Sequence, residues 1–196
     1  DIYPYSFIVD GITVMDPANV NFFPNERFKA SLVDVPGETP LVHAIKDVPH
    51  GSVTYEYYPS VEGSTGSVVV YTPPGYDANT TTKYPVLYLL HGGGEDERGW
   101  AMQGKTDIIL DNLIAEQKAK PMIIVMMDGN VSAGGPGGFG EQALRAFENE
   151  LKQTLIPFIE KNYRVATDAN SRALAGLSMG GLQTLHAGVR NSNMFA

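Results

Sequence analysis

"RALAGLSMGGLQTL", residues 172–185, is the stretch that decides the fold. A small, apolar segment leads into GLSMG at residues 176–180, which is a G-x-S-x-G sequence. In that pattern the serine occupies a sharp turn between a buried strand and a helix, with its hydroxyl exposed. The helix N-terminus also brings free backbone N–H groups close to Ser178, where they can stabilise a developing oxyanion. The stretch predicts a nucleophilic Ser178, and simple capping of the helix by this serine is the alternative.

A second glycine sequence lies upstream, where HGGG at residues 91–94 directly follows the apolar run VLYLL. Glycines at such a position let the backbone bend so that an N–H group points at a substrate carbonyl oxygen. We expect the N–H groups of Gly93 and Met179 to form the oxyanion hole. Read alone, HGGG also fits a flexible turn, but its position after a strand and its pairing with the Ser178 turn favour the oxyanion interpretation.

The pattern from residue 50 onwards predicts an α/β fold. Continuous apolar runs at 86–90 and 122–127 are typical of strands buried on both faces. Residues 106–119 and 141–162 have helical spacing of apolar residues, with Thr106 as a candidate N-cap and Pro157 as a candidate kink. The element order β-β-β-α-β-α-β-α indicates a mostly parallel sheet with helices on both faces.

The first part of the chain has a different character. Apolar residues alternate from Tyr3 to Val9 and are followed by Asp10-Gly11, a strong hairpin signal. Proline-, asparagine- and glycine-rich sequence follows up to about residue 46. We therefore expect two units, residues 1–46 as a β module with its linker and residues 47–196 as the α/β unit.

Composition excludes several classes of function. The 196 residues carry a formal net charge of −8, which argues against nucleic acid or anionic membrane as a partner. There is no cysteine, and no metal-binding or nucleotide-binding sequence pattern is present, so we expect neither a metal nor another cofactor. No apolar run is long enough to span a membrane, and the first residues lack the features of a signal peptide.

Three stretches together resemble a known family: YPVLYLLHGGGEDERGW, ELKQTLIPFIEKNYRV and RALAGLSMGGLQTL. They are similar to the esterase D-like branch of the α/β-hydrolases, and in particular to the feruloyl and acetylxylan esterases of carbohydrate esterase family 1. The resemblance runs from about residue 50 to the end. The preceding segment resembles the last strands of a family 48 carbohydrate-binding-like β-sandwich, so residues 1–46 would be a partial β-sandwich.

The resemblance implies where the partners of Ser178 lie. In α/β-hydrolases the nucleophile is followed along the chain by an Asp or Glu and then by a His. Only 18 residues follow Ser178, so we expect the triad Asp and His beyond residue 196, in a chain truncated after the nucleophile helix. His186 would rise ~12 Å along that helix, His43 and His50 precede the hydrolase core, and His91 belongs to the oxyanion loop.

Two further residues are candidates for substrate binding. Trp100 follows the HGGG sequence and suits an apolar wall for an aromatic acyl group, although core packing explains it equally well. Asn130 closes the sequence Asp128-Gly129-Asn130 after a buried strand, at the end of the sheet where open α/β folds bind ligands. A simple turn is the alternative there. The acidic run at residues 95–97 is better explained as a solvated surface.

The family resemblance implies a secreted or periplasmic serine esterase without a cofactor. Its partner would be an acylated polysaccharide or a feruloylated oligosaccharide, with feruloylated arabinoxylan as the favoured substrate. Acetylxylan esterase and mycolyl-type acyltransferase are the enzymatic alternatives. A degenerate esterase-like module that only binds carbohydrate is the alternative without catalysis.

Overall fold

The computed structural model describes residues 1–25, 29–61, 63–131 and 139–196. Four short strands lie at the start of the chain: β1 (Ile2–Tyr5), β2 (Phe7–Val9), β3 (Ile12–Val14) and β4 (Ser31–Asp34). Strand β1 pairs with β4 and β2 with β3, both antiparallel. Asp10 and Gly11 connect β2 to β3 with φ of 51° and 80°, the left-handed pair that a type I′ turn requires. The predicted hairpin is confirmed.

A five-stranded sheet forms the centre of the remaining chain. Its strands are β5 (Ser52–Pro59), β6 (Thr65–Thr72), β7 (Val86–Leu90), β8 (Ile123–Met127) and β9 (Arg172–Gly176). They lie side by side in the order β5–β6–β8–β7–β9. Strand β8 is wholly buried, and β6 is buried from Val68 to Thr72, as expected for the apolar sequences of these segments.

The sheet is mixed, whereas the sequence predicted a mostly parallel one. Strands β8, β7 and β9 are parallel, but β5 pairs antiparallel with β6, and β6 pairs antiparallel with β8. The short connection at residues 60–64 explains the first difference, because a few residues can join antiparallel strands only. The parallel part of the sheet carries the turns that hold the catalytic candidates.

Helices cover both faces of this sheet, as predicted. They are α1 (Gly99–Met102), α2 (Thr106–Ala115), α3 (Glu141–Glu150), α4 (Ile156–Asn162) and α5 (Met179–Arg190). Leu110 of α2 packs with Val69 and Ile124 on one face. On the other face Phe147 of α3 and Ala187 of α5 belong to a larger apolar cluster. The catalytic candidates lie where the parallel strands end between these layers.

One local expectation needs correction, and the structure adds a turn that was not expected. Thr106 does not cap α2: Lys105 takes that position in a left-handed conformation with φ of 50°, and the Thr106 hydroxyl donates to the Trp100 carbonyl at 2.9 Å. Ahead of Pro157 the helix widens into one π-helical turn, Leu151–Leu155, before α4 continues it. Proline has no backbone N–H group and cannot donate the usual helical hydrogen bond. A widened turn is one way for a helix to accommodate this.

Across the described parts of the chain, no helix has both the length and the apolar character needed to cross a bilayer.

Candidate active site

Leu177 and Ser178 form the turn between a strand and a helix. Strand β9 ends at Gly176 and α5 begins at Met179, so Ser178 occupies the turn between them. Its backbone has φ of 53° and ψ of −111°, a conformation that costs a side-chain-bearing residue about 1–3 kcal/mol. The residue is exposed to solvent. The sharp turn and accessible hydroxyl are the geometry expected of a nucleophile elbow.

The glycines around Ser178 are required by close packing. A Cβ atom on Gly176 would lie 2.4 Å from the Gly180 backbone, and one on Gly180 would lie 2.7 Å from the Leu90 and His91 carbonyl oxygens. The Gly180 N–H also donates to the His91 carbonyl at 3.2 Å. The start of α5 therefore lies directly against the end of β7, and no larger residue fits between them.

The glycine loop, residues 92–95, folds back beside the Ser178 turn. The Glu95 N–H donates to the Gly92 carbonyl at 3.2 Å, and Gly94 supports this tight turn with φ of 84°. A Cβ atom on Gly93 would lie 3.9 Å from the Met179 Cβ atom. Among the residues that the structure describes, neither the Gly93 nor the Met179 N–H has an acceptor. The two candidate oxyanion donors are thus neighbours and available to a ligand.

His91 is buried and contacts the chain after β7 and after β8. Its Nδ1 lies 2.8 Å from the Gly92 carbonyl oxygen, and its Nε2 lies 2.9 Å from the Gly129 backbone nitrogen. The Asp128 carboxylate lies 3.3 Å from Nε2. Although burial acts to raise it, the pKa of Asp128 is lowered by the His91 ring and by N–H groups of Asn130. Because both ring nitrogens are engaged, His91 holds the ends of β7 and β8 together and cannot serve as a base for Ser178.

The contacts of Asn130 and Trp100 favour supporting roles. The Asn130 amide donates to the Glu95 carbonyl at 2.8 Å and to the Asp128 carboxylate at 2.9 Å. The Trp100 indole N–H donates to the Leu90 carbonyl at 2.9 Å, and its ring packs against the apolar cluster around Leu110. Both side chains hold the glycine loop and the end of β7 in place. Their contact with substrate stays a prediction.

The other three histidines have carboxylate partners away from Ser178. His43 lies 3.0 Å from Asp34, His50 lies 2.9 Å from Asp111, and His186 lies 3.3 Å from Glu148. The chain contains four histidines in all. Within the described ranges, none of them pairs with Ser178, so the structure brings together the nucleophile and oxyanion candidates without a base.

Gln183 is a site residue that the sequence reasoning missed. It lies on α5 about one turn after Ser178, is 1% exposed, and donates through Nε2 to the Gly129 carbonyl at 2.8 Å. It thereby ties the nucleophile helix to the loop after β8. A polar residue on the core-facing side of an otherwise apolar helix was the available signal. In the described ranges no cluster of His, Asp and Glu is suited to a metal ion.

Comparison with known proteins relates this geometry to a family. The chain is 38% identical over 196 residues to an endo-1,4-beta-xylanase/feruloyl esterase of Xylanibacter ruminicola, covering 97% of this chain and 27% of that protein. Among solved structures, a carbohydrate esterase family 1 ferulic acid esterase of Anaeromyces mucronatus matches with 29% identity and a TM-score of 0.70. That match covers 82% of this chain and 61% of the fungal one. A second structure of the fungal protein contains ferulic acid.

A more distant match shows the fold alone. Enterochelin esterase from Shigella flexneri shares 20% identity at a TM-score of 0.66, covering 94% of this chain and 45% of that one. The chain spans 27% of the length of its Xylanibacter relative and 61% of the fungal structure. The neighbours have the α/β-hydrolase fold predicted from the sequence. The model of the Esterase family matches residues 61–196, and the chain therefore belongs to the esterase family.

Proposed function

We propose that the protein is a serine esterase that hydrolyses feruloyl esters on plant xylan. The observation that carries the proposal is the strained, exposed Ser178, beside which the N–H groups of Gly93 and Met179 have no acceptor among the described residues. A functional serine explains why the fold keeps a side chain at a backbone position suited to glycine. The xylanase/feruloyl esterase relative and the ferulic acid complex of the fungal neighbour support the substrate class.

The reaction follows from these groups. The Ser178 oxygen attacks the ester carbonyl carbon, while its proton passes to a general base. The carbonyl oxygen becomes an oxyanion, which the N–H groups of Gly93 and Met179 stabilise. Collapse of this intermediate breaks the bond to the sugar oxygen, which takes up the proton and leaves as an alcohol. Water then attacks the acyl-serine, releasing the carboxylic acid and restoring Ser178.

We assign the general base and its orienting acid to residues beyond 196. The reason is that none of the four histidines pairs with Ser178 within the described ranges: His43, His50 and His91 are hydrogen-bonded elsewhere. The fourth, His186, lies 3.3 Å from the Glu148 carboxylate. An ordered Ser–Asp–His sequence along the chain agrees with the α/β-hydrolase pattern. Because xylan is a polymer outside the cell, we also place the protein outside the cytoplasm, as a secreted or periplasmic enzyme.

Labelling and turnover test the proposal together. A fluorophosphonate should label wild-type full-length protein at Ser178 and leave Ser178→Ala unlabelled, because only an activated serine reacts quickly. Wild type should hydrolyse methyl ferulate with a higher kcat/KM than 4-nitrophenyl acetate or acetylated xylan. Retention of more than about a tenth of wild-type kcat by Ser178→Ala would refute the nucleophile, since removal of a serine nucleophile costs far more.

Preference for acetylated xylan would retain the serine esterase and overturn the feruloyl assignment. A fully folded wild-type protein with neither labelling nor turnover would instead support a carbohydrate-binding role without catalysis.

A further inference from the structure

The N-terminal β module reaches the glycine loop directly. Residues 22–25, here called the contact segment, lie against residues 94–98. Asn25 forms an isolated antiparallel bridge with Glu95. The Asn25 amide also lies so close to Gly94 that a Cβ atom there would be 3.0 Å from Oδ1 and 3.3 Å from Nδ2. With φ of 84°, Gly94 fits this place only as glycine.

A second contact joins the same two segments. The Arg98 guanidinium lies over the Phe22 ring, 5.6 Å from its centroid, which is within the range of a cation–π interaction. Arg98 is itself fixed by Asp96, to which Nε donates at 3.1 Å and Nη2 at 2.5 Å. The contact segment therefore contacts the α/β unit at two places, Gly94–Glu95 and Arg98.

The contact segment is firmly anchored in its own module. Phe22 pairs with Ser31 in an isolated bridge, and the Phe23 N–H donates to the Ala30 carbonyl at 2.9 Å. Ser31 begins strand β4 and is buried. A segment tied to a strand in this way can restrain what it touches.

Glu95 is the point where these restraints meet. Its N–H closes the turn to Gly92, its carbonyl accepts the Asn130 amide at 2.8 Å, and its backbone pairs with Asn25. One side of the glycine loop is thus held by the α/β unit and the other by the β module. Gly93, the candidate oxyanion donor, lies inside this held turn.

We propose that Asn25 and Phe22 are positioning residues for the oxyanion hole, so that the β module completes the active site rather than only accompanying it. This inference rests on the proposed esterase function. Removing one oxyanion donor costs ~10²–10³ in rate, and a donor displaced without being lost costs less. We therefore expect the contact segment to contribute about 3- to 30-fold in kcat.

The test uses the full-length protein and two small esters, methyl ferulate and 4-nitrophenyl acetate. Asn25→Ala removes the amide beside Gly94, and Phe22→Leu keeps an apolar side chain but removes the ring beneath Arg98. Each should lower kcat for both esters with little change in KM, and the double variant should lower it further. The affinity of a boronic acid, which imitates the tetrahedral intermediate, should fall more than that of free ferulate.

Asn19→Ala is the matched control. Asn19 lies in the same module and donates to the Leu32 carbonyl at 2.8 Å and to the Tyr5 hydroxyl at 3.0 Å, so its loss weakens the module from within. It should lower the melting temperature while kcat stays at the wild-type value. Asn25→Ala should instead lower kcat, and the melting temperatures of both variants are measured alongside.

Three outcomes would overturn the positioning role. Unchanged kcat in Asn25→Ala and Phe22→Leu would mean that the contact is passive. An equal fall in kcat for Asn19→Ala would mean that only module stability matters. A change confined to KM for the two esters would make the segment a substrate contact. An inactive wild type would instead defeat the proposed function itself.

Discussion

Ser178 has a backbone conformation that glycine adopts more easily than any residue with a side chain. Its φ of 53° belongs to the left-handed side of conformational space, and its ψ of −111° places it outside the usual left-handed well. The surrounding elbow maintains this strain because β9, β7 and α5 fix the chain on both sides. Under the proposed function, the side chain at 178 supplies the reactive hydroxyl at a cost in stability.

This cost can be measured by comparing two inactive variants. Ser178→Gly should melt at a higher temperature than Ser178→Ala, because glycine relieves a strain of about 1–3 kcal/mol that alanine keeps. The two proteins should show equal, negligible turnover of methyl ferulate. Differential scanning calorimetry of both variants decides the matter, and a lower melting temperature for Ser178→Gly would contradict the strain argument.

Residues close in sequence to the glycine motifs could be placed correctly from the sequence. The adjacency of Gly93 and Met179 follows from two short turns at the ends of neighbouring parallel strands. The bonds of Asn130, Trp100 and Gln183 could not be foreseen, because each joins segments that are distant in the chain. The spacing of apolar residues shows on which face of a helix or strand a side chain lies. It does not show which backbone carbonyl group that side chain hydrogen-bonds.

At the scale of elements, the packing of α5 against β7 is set by glycine. Gly180 touches the end of β7, whereas a Cβ atom on Gly188, further along the same helix, would have nothing within 4 Å. The two positions share a residue type and a helix, and differ in what surrounds them. They form a natural pair for an experiment.

Gly180→Ala should destabilise the protein and reduce turnover, because its methyl group would lie 2.7 Å from two carbonyl oxygens and would push α5 and Ser178 away. Gly188→Ala should leave activity unchanged and raise stability by about 0.5–1 kcal/mol through helix propensity. Urea unfolding and kcat measured side by side test both. Equal effects of the two substitutions would be inconsistent with this packing.

The segment between the β module and the sheet is fastened to α2 through a histidine. His50 Nδ1 lies 2.9 Å from the Asp111 carboxylate, and Nε2 lies 3.1 Å from the Lys46 carbonyl. Both ring nitrogens face acceptors, so the protonated ring satisfies both. The hydrogen bond with Asp111 is the main cause that raises the pKa of His50.

The direction of the pH dependence follows from that shift. A histidine whose pKa is raised by folding stabilises the folded state fully below its unfolded pKa of about 6.5, and this contribution is lost as pH rises through the folded value. Wild type should therefore exceed His50→Gln in melting temperature by more at about pH 5.5 than at about pH 8.5. Thermal melts at both pH values test this, and a constant difference would exclude the His50–Asp111 interaction as its source.

The long helical segment illustrates how far element prediction extends. Apolar spacing gave residues 141–162 as one helix, and the structure places α3, the π-helical turn and α4 within that range. The π-helical turn was not predicted, because it depends on how Leu151 and Leu155 fit the core as well as on Pro157.

Strand direction was also only partly predictable. The parallel pairings follow from helical crossovers, but the direction of β6 relative to β8 depends on which strands become neighbours.

At the scale of the whole molecule, α5 carries an apolar stripe on its outer side. Leu182, Leu185 and Val189 are 38%, 66% and 75% exposed. Their spacing puts them on one face of the helix. Exposed apolar surface of this kind favours association with other chains or other segments.

The 196-residue chain alone should therefore self-associate as its concentration rises, and it should hydrolyse no ester because Ser178 has no histidine partner. Leu185→Lys with Val189→Glu should reduce the association. Val20→Lys, which places a charge at a site 87% exposed in the β module, is the control and should not. Sedimentation velocity and methyl ferulate turnover provide the readouts, and a monomer at all concentrations or rapid turnover would contradict this.

The division of the chain at residue 46 remains a prediction. The contact of Asn25 with Glu95 crosses that boundary, and this has a consequence for how the two units could evolve. A recombination event at that boundary would transfer the sheet, the glycine loop and Ser178 intact to a new neighbour. The new protein would contain every residue of the nucleophile turn but would lack the contact segment. If the contact segment positions the oxyanion hole as proposed, such a hybrid would be a poorer catalyst until its new neighbour supplied an equivalent contact. Lineages of this kind should exchange the two modules as a pair, because selection acts on their junction as well as on each part.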